Sequence, residues 1–108
     1  SDIMQSLIAL GTCKKEDRFI FTLPASEVTD INSNEPVVIQ GIIDCWFEKD
    51  GTAVIVDYKT DRVADDLELV SRYKVQLDMY EKALLKIHSI PTSAKYIYSF
   101  CLKKFIKL

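Results

Sequence analysis

The sequence predicts a single α/β domain with a mixed β-sheet flanked by helices. Three features indicate this class. β-Branched and aromatic runs on either side of Asp50-Gly51 predict a hairpin, a long amphipathic helix follows it, and Ala94 to Leu102 then reads as a further strand. A helix between two strands can serve as a crossover, so the last strand can lie parallel to an earlier one. A chain of 108 residues has room for one domain, which we predict to span residues 1–108.

The segments before the hairpin predict a helix, a strand and a connection. Apolar residues within Asp2 to Leu10 follow a helical spacing that begins abruptly, and Gly11 can end this helix. Thr12 to Leu23 contains alternating apolar positions and is typical of a strand. Pro24 to Pro36 is rich in Ser, Thr, Asp and Asn, so we predict a connection with room for one helical turn.

The predicted hairpin also sets a register. A two-residue turn at Asp50-Gly51 pairs Lys49 with Thr52. Side chains alternate with a period of two, so every second pair along the hairpin shares one face. The pairs on that face are Glu48 with Ala53, Trp46 with Ile55, Asp44 with Asp57, and Ile42 with Lys59. This register brings two carboxylates face to face.

Facing carboxylates are unfavourable unless a cation neutralises them. At roughly 5 Å and an effective dielectric of about 20, their repulsion is on the order of 3 kcal/mol. Lys59 lies two residues beyond Asp57 and can offset part of it. Asp44 and Asp57 also form half of a hard-cation site for Mg²⁺ or Mn²⁺. The residues alone leave open a second interpretation, a buried Asp–Lys pair with a solvated Asp at the sheet edge.

The helix after the hairpin is predicted from capping residues and periodicity. Asp61-Arg62 ends the strand, and Asp65 or Asp66 can accept hydrogen bonds from free amides of the first helical turn. An apolar stripe at three- and four-residue spacing then faces the core as far as about His88. Its members are Leu69, Tyr73, Leu77, Tyr80, Leu84 and Ile87. The proline-containing segment Ser89 to Ser93 ends the helix.

Gln76 lies at the edge of the apolar stripe, on the same face as Tyr73 and Tyr80. A glutamine there needs hydrogen-bond partners, and a phosphodiester backbone beside a metal site is one candidate. In the alternative, Gln76 satisfies a loop backbone group while both tyrosines pack and their hydroxyls reach water. Spacing alone favours this alternative. We interpret His88, at the helix C-terminus, as a cap rather than a ligand.

Composition limits the class of function. The formal net charge of −2 argues against a protein that coats nucleic acid, because such domains usually carry a strong basic excess. Cys13, Cys45 and Cys101 are far apart, which indicates a reduced intracellular protein without a disulfide framework, zinc ribbon or iron–sulfur cluster. No apolar run approaches the length of about 18 residues that a membrane span needs, and no signal peptide is present, so we predict a cytoplasmic protein with no membrane partner.

Three short motifs together resemble the signature of the RecB-like branch of PD-(D/E)XK nucleases. They are Gly41-Ile42-Ile43-Asp44, Asp57-Tyr58-Lys59-Thr60, and Gln76 followed by Tyr80. Their order, around a hairpin and then on the next helix, makes the combination specific. Within the branch the chain is most similar to the nuclease domains of the AddA family, where an E-x-x-F strand, here Glu16-Asp17-Arg18-Phe19, precedes the hairpin. The resemblance runs from about Leu7 to the chain end and implies a restriction-endonuclease-like fold.

The resemblance implies a role for each matching residue. Asp44 and Asp57 would bind Mg²⁺, or Mn²⁺, together with the main-chain carbonyl of Tyr58. Lys59 would orient or help to activate the attacking water and stabilise charge on the phosphate. The side chains implied to form the active-site wall or to contact the DNA backbone are Gln76, Tyr80 and Tyr73.

The family also implies a biological setting. We expect a metal-dependent DNA exonuclease module of an ATP-binding helicase–nuclease in double-strand-break repair and recombination. It would cut single strands as they emerge from the helicase region in cis, with AddB as the partner subunit. Related chains usually carry a metal-binding histidine upstream, and none precedes Asp44. We therefore expect an N-terminally truncated fragment that binds metal weakly and cleaves poorly. The alternatives are a catalytically inactive nuclease-fold module for DNA or partner binding, and a stand-alone RecB-like nuclease.

Overall fold

Five strands form one mixed sheet in the order β1-β2-β3-β4-β5 in the computed structural model, which describes residues 13–108. The strands are β1 (Lys14–Pro24), β2 (Pro36–Lys49), β3 (Thr52–Lys59), β4 (Thr92–Ser99) and β5 (Lys104–Lys107). The helices are α1 (Ala25–Val28) and α2 (Asp66–His88). The predicted α/β class with a mixed sheet and helices is confirmed. The helix predicted for Asp2 to Leu10, and Gly11 after it, lie outside the described residues.

The hairpin between β2 and β3 forms in the predicted register. Lys49 pairs with Thr52, and the ladder continues through Glu48 with Ala53 and Trp46 with Ile55. The turn residues Asp50 and Gly51 have φ values of 54° and 78°, the left-handed backbone that suits a tight hairpin.

The predicted pairs Asp44 with Asp57 and Ile42 with Lys59 are absent from the described ladder, which ends at Cys45 and Val56. That part of the register prediction is wrong, because β2 separates from β3 at this point. From there to Pro36, β2 pairs only with β1.

Helix α2 carries the chain from β3 to β4, and these two strands are parallel, as the crossover predicted. The side chain of Asp65 accepts a hydrogen bond from the Glu68 amide, which confirms one of the two predicted caps. Ser89 ends the helix with left-handed backbone. Among residues 13–108, no helix combines the length and apolar character that a membrane crossing requires.

The strand predicted for Ala94 to Leu102 is displaced toward the N-terminus, because β4 begins at Thr92. β4 ends at Ser99 rather than Leu102, and a turn leads into β5. We did not predict β5 because it has only four residues and follows Lys103, whose φ is 55°.

The main hydrophobic core lies between α2 and one face of the sheet. Its members include Phe19, Phe21, Ile43, Trp46, Ile55, Leu69, Leu77, Tyr80, Leu84 and Ile97. Ile87 is 44% exposed, so its predicted place in the buried stripe is wrong. The contact with the sheet in the last helical turn is made instead by His88, whose ring centroid lies 5.6 Å from that of Trp46.

The opposite face of the sheet holds a second buried cluster. It consists of Cys45, Phe47, Val54 and Val56, with Tyr58, Tyr96 and Phe105 among the partly buried residues against it. Cys13 and Cys45 are joined by a disulfide with their Cα atoms 6.3 Å apart, a separation typical of such bridges. The prediction of unpaired cysteines is therefore wrong for these two. Their 32-residue separation hid the bridge, because only the β1–β2 register brings them together. Cys101 is free and exposed.

Candidate active site

The candidate site lies where β2 and β3 separate. Oδ2 of Asp44 accepts a hydrogen bond from the Tyr58 amide at 3.0 Å. On the other side of β2, the β1 residue facing this point is Glu16, whose φ is 50°, and the paired register skips from Lys15 to Asp17. The carboxylate of Asp44 thus takes an acceptor position that a backbone carbonyl holds in a regular ladder.

Asp57 is the most buried charged side chain of the site, at 1% exposure. Its Oδ2 lies 2.7 Å from Nζ of Lys59, and no other described residue donates a hydrogen bond to it. Burial raises the pKa of Asp57 to about 6; hydrogen bonding to Lys59 opposes this shift and the adjacent Asp44 adds to it. One ammonium group therefore compensates the buried carboxylate only in part.

The Lys59 ammonium is held from three directions. Besides the Asp57 carboxylate, it donates a hydrogen bond to Oε1 of Gln76 at 2.9 Å. Nζ also lies over the ring of Tyr73, 4.1 Å from its centroid, within the range of a cation–π contact. The side chain of Lys59 is only 15% exposed, so β3 and α2 together fix its position.

Tyr73 is anchored by two residues that we did not predict. Its hydroxyl donates a hydrogen bond to Oδ2 of Asp61 at 2.7 Å, and Nη1 of Arg72 donates to the same oxygen at 2.7 Å. The hydrogen bond from Tyr73, followed by that from Arg72, lowers the pKa of Asp61. The sequence indicated Asp61 only as the residue that ends the strand. The one further clue to Arg72 was its i,i+4 spacing from Glu68 on α2.

Tyr80 closes the site on the side of the core. It is 6% exposed and meets the ring of Phe19 edge to face, with centroids 5.8 Å apart. Burial, followed by the charges of Asp57 and Asp44, raises the pKa of Tyr80 to about 12. The phenol is therefore a neutral hydrogen-bond donor near two carboxylates at ordinary pH.

Gly41 makes room for Phe19, which faces it across the β1–β2 ladder. A Cβ atom on Gly41 would lie 2.8 Å from Cζ of Phe19. This contact gives a physical reason for the glycine of the G-x-x-D motif and for the phenylalanine of the E-x-x-F strand. Phe19 in turn packs against Tyr80.

Comparison with known proteins supports what the geometry indicates. A family profile described as the PD-(D/E)XK nuclease superfamily matches residues 2–104. The chain belongs to this nuclease superfamily. The predicted resemblance and the restriction-endonuclease-like core are thereby confirmed.

Individual relatives point to one type of nuclease. The chain is 37% identical over its full length to an ATP-dependent helicase/nuclease subunit of Clostridium botulinum strain Loch Maree. It is 40% identical over 99% of its length to the same protein of strain Okra, and 37% identical over 93% of its length to that of Oceanobacillus iheyensis. The chain spans 9% of the length of these relatives.

The candidate site has the donor chemistry for a hard cation. The buried oxygen of Asp57 has no partner among the described residues besides the Lys59 ammonium, and the neighbouring Asp44 adds a second carboxylate, the ligand type that Mg²⁺ prefers. Within residues 13–108, no group of three His, Cys, Asp or Glu side chains completes a metal site. A further ligand would therefore be a backbone oxygen, a hydroxyl or amide side chain, a water or a group outside the described residues.

The Tyr58 carbonyl is the backbone oxygen best placed for this. The next carbonyl, that of Lys59, accepts a hydrogen bond from the Phe100 amide at 3.1 Å and so faces β4. Successive carbonyls of a strand point to opposite sides, so that of Tyr58 faces the gap next to Asp44. The Tyr58 amide, which points the same way, already bonds to that side chain.

The structure therefore places all the residues that we predicted for the site around one gap. Gln76 contacts Lys59 rather than a loop backbone group, and the Tyr73 hydroxyl reaches Asp61 rather than water alone. The packing alternative from the sequence is thus wrong for both side chains.

Proposed function

We propose that this chain is the metal-dependent DNA nuclease module of a helicase–nuclease, which hydrolyses phosphodiester bonds. The observation that carries the proposal is the buried carboxylate of Asp57, incompletely neutralised, with Asp44 and the Lys59 ammonium beside it. The Tyr58 amide occupies one oxygen of Asp44, and a structural ion pair between Asp57 and Lys59 makes no use of the other. A site that receives a cation and a phosphate requires all three groups.

Asp44, Asp57 and the Tyr58 carbonyl would hold Mg²⁺, and Mn²⁺ is the alternative ion. When bound, the ion supplies positive charge to the scissile phosphate and the attacking water. Once the Asp57 carboxylate has a second cation beside it, it attracts the Lys59 ammonium less strongly. Gln76 and Tyr73 keep that ammonium at the site, where it orients the water and stabilises negative charge developing on the phosphate.

The remaining site residues would form the wall. Tyr80 is a neutral donor at the back of the gap, and it excludes water from the side of Phe19. Exclusion of water strengthens the electrostatic interactions inside the site. Gln76 is exposed and has amide hydrogens available to a phosphate of the DNA backbone.

The substrate and setting follow from the relatives. Their name joins an ATP-dependent helicase to a nuclease, which supports a module that acts as an exonuclease on single strands delivered by a helicase region in cis. We place it in double-strand-break repair and recombination, with AddB as its partner and the cytoplasm as its location.

The decisive experiment uses the full-length protein that contains this module. Asp57→Ala and Lys59→Ala should each abolish Mg²⁺-dependent DNA degradation and leave ATP hydrolysis intact. Asp30→Ala, at an exposed position in the connection after α1, is the matched control and should retain both activities. Undiminished DNA degradation in the Asp57 and Lys59 variants would refute the proposal.

One observation favours a second candidate, a nuclease-fold module that binds DNA or a partner without catalysis. The described residues supply only two carboxylates to the gap and no group of three metal-ligating side chains. Thermal unfolding with and without Mg²⁺ or Mn²⁺ separates the two candidates, because only a metal-binding site is stabilised by the ion. A stand-alone nuclease without a motor is distinguished by the absence of ATP hydrolysis.

A further inference from the structure

We propose that Asp61 and Tyr73, held by Arg72, form a positioning unit for the Lys59 ammonium. This inference rests on the proposed nuclease function and gives Tyr73 a task different from contact with DNA. Asp61 and Arg72 would touch neither substrate nor metal, and would act on the reaction only through Tyr73 and Lys59.

The contact between Tyr73 and Lys59 is the centre of the unit. Nζ of Lys59 lies 4.1 Å from the ring centroid, and the attraction arises from the negative face of the aromatic ring. A lysine side chain has four flexible carbons and loses much rotamer freedom when it is fixed. The ring therefore restricts a charge that would otherwise sample many positions.

Asp61 fixes the ring and strengthens its attraction. The Tyr73 hydroxyl donates to the Asp61 carboxylate at 2.7 Å, which restricts rotation of the phenol about its side-chain bonds. A phenol that donates to a carboxylate also gains electron density, and a more negative ring face attracts an ammonium more strongly.

Arg72 holds Asp61 in turn. Its Nη1 donates to Asp61 at 2.7 Å and its Nη2 donates to Oε1 of Glu68 at 3.1 Å. The other carboxylate oxygen of Glu68 accepts from the Ala64 amide at 3.0 Å. The connection between β3 and α2 is thus fastened to the helix at Asp61 and at Ala64, directly after the strand that carries Lys59.

The unit matters most when Asp57 binds a cation. Asp57 then shares its negative charge, and the hold on Lys59 depends more on Gln76 and Tyr73. A residue that positions Lys59 should change the turnover number kcat, whereas a residue that contacts DNA should change the Michaelis constant KM. These two expectations distinguish the proposed role from that of a binding wall.

The first arm of the test measures the position of Lys59 directly. In the metal-free 108-residue chain with ¹³C-labelled lysine, ring currents from Tyr73 should shift the Lys59 ε-methylene NMR signal upfield. Tyr73→Leu should abolish this shift, Asp61→Asn should reduce it, and Tyr73→Phe should retain part of it. Tyr96→Phe, on the other sheet face, is the control and should leave it unchanged. Circular dichroism confirms that each variant is folded.

The second arm measures catalysis in the full-length protein. Tyr73→Leu and Asp61→Asn should lower kcat for DNA hydrolysis on the order of tenfold or more, because small displacements of a catalytic group are costly, while KM stays within about twofold. An unshifted Lys59 signal in the wild type, a signal unaffected by Tyr73→Leu, or a change confined to KM would overturn the proposal. If the wild type lacks nuclease activity, the proposed function fails, and the NMR arm still decides whether Tyr73 and Asp61 position Lys59.

Discussion

Asp44 and Tyr58 are 14 residues apart in sequence, and the Asp44 carboxylate accepts a hydrogen bond from the backbone amide of Tyr58 at 3.0 Å. This bond lies just beyond the last paired residues of the hairpin, Cys45 and Val56. It satisfies an amide that would otherwise lose its ladder partner, and it keeps the Asp44 side chain beside Asp57. The separation of β2 from β3 and the grouping of Asp44 with Asp57 therefore have the same cause.

Divalent metal should stabilise the 108-residue chain. At a concentration of Mg²⁺ or Mn²⁺ equal to about 100 times the dissociation constant, we expect a gain of about 2.7 kcal/mol in the free energy of unfolding. Asp44→Asn and Asp57→Asn should lose most of the gain, and Asp30→Asn should retain it. Thermal unfolding with and without metal measures the effect. No stabilisation by either ion would favour the non-catalytic candidate.

Stability of the metal-free chain should depend on pH through Asp57. Its pKa rises on folding from 3.8 to about 6, so the folded state holds the proton more tightly than the unfolded state. The stabilising contribution is full below the unfolded value and is lost as pH rises through about 6, a difference of about 3 kcal/mol.

Replacement of Asp57 by Asn should remove this dependence. Relative to wild type, Asp57→Asn should gain about 2.4 kcal/mol of stability between pH 4 and pH 7, because pH 4 already lies slightly above the unfolded pKa. Urea unfolding in chelator at both pH values measures the change, and Asp30→Asn controls for ordinary surface titration. A constant difference between Asp57→Asn and wild type over this range would contradict the prediction.

Gly41→Ala should destabilise the fold by about 1–3 kcal/mol, because the new methyl group overpacks against Phe19. The cost should fall in a Phe19→Leu background, where the ring is absent. Gly51→Ala is the matched control. Its φ of 78° strains alanine, but nothing lies within 4 Å of the added atom, so its cost should be equal in both backgrounds. Additive effects of Gly41→Ala and Phe19→Leu in denaturant titrations would rule out this explanation.

Asp65→Ala should destabilise the chain by about 1 kcal/mol through loss of the α2 cap. The neighbouring Asp66 forms an exposed ion pair with Lys104, and such pairs contribute little. Asp66→Ala should therefore cost less than Asp65→Ala in the same urea titration. The reverse order would show that the cap is not the dominant interaction.

Local patterns were sufficient to predict the hairpin, the α2 cap and the parallel crossover. The Asp50-Gly51 turn fixes the register of its neighbours because each pair follows from the one before. Counting pairs from the turn assigns a partner to every residue beyond Cys45 as well, so it could not reveal where β2 and β3 separate. The separation depends on whether a backbone carbonyl or the Asp44 carboxylate accepts the hydrogen bond from the Tyr58 amide. The alternation of apolar and polar residues carries no information about this choice.

Contacts between distant elements were beyond sequence reasoning. Asp61 meets Tyr73 only because α2 folds back over the end of β3, and Cys13 meets Cys45 only through the β1–β2 register. Helical spacing placed Tyr73, Gln76 and Tyr80 on one face. It could not state that the partner of Gln76 is Lys59.

The parallel pairing of β3 with β4 has a consequence for the order of folding. Asp44 and Asp57 belong to one hairpin, a local structure that forms in microseconds, whereas the contacts of Lys59 with α2 await a crossover that brings distant segments together. We therefore expect the acidic pair to assemble before its lysine is secured. During that interval an ion that binds both carboxylates would relieve their repulsion and act as a folding cofactor.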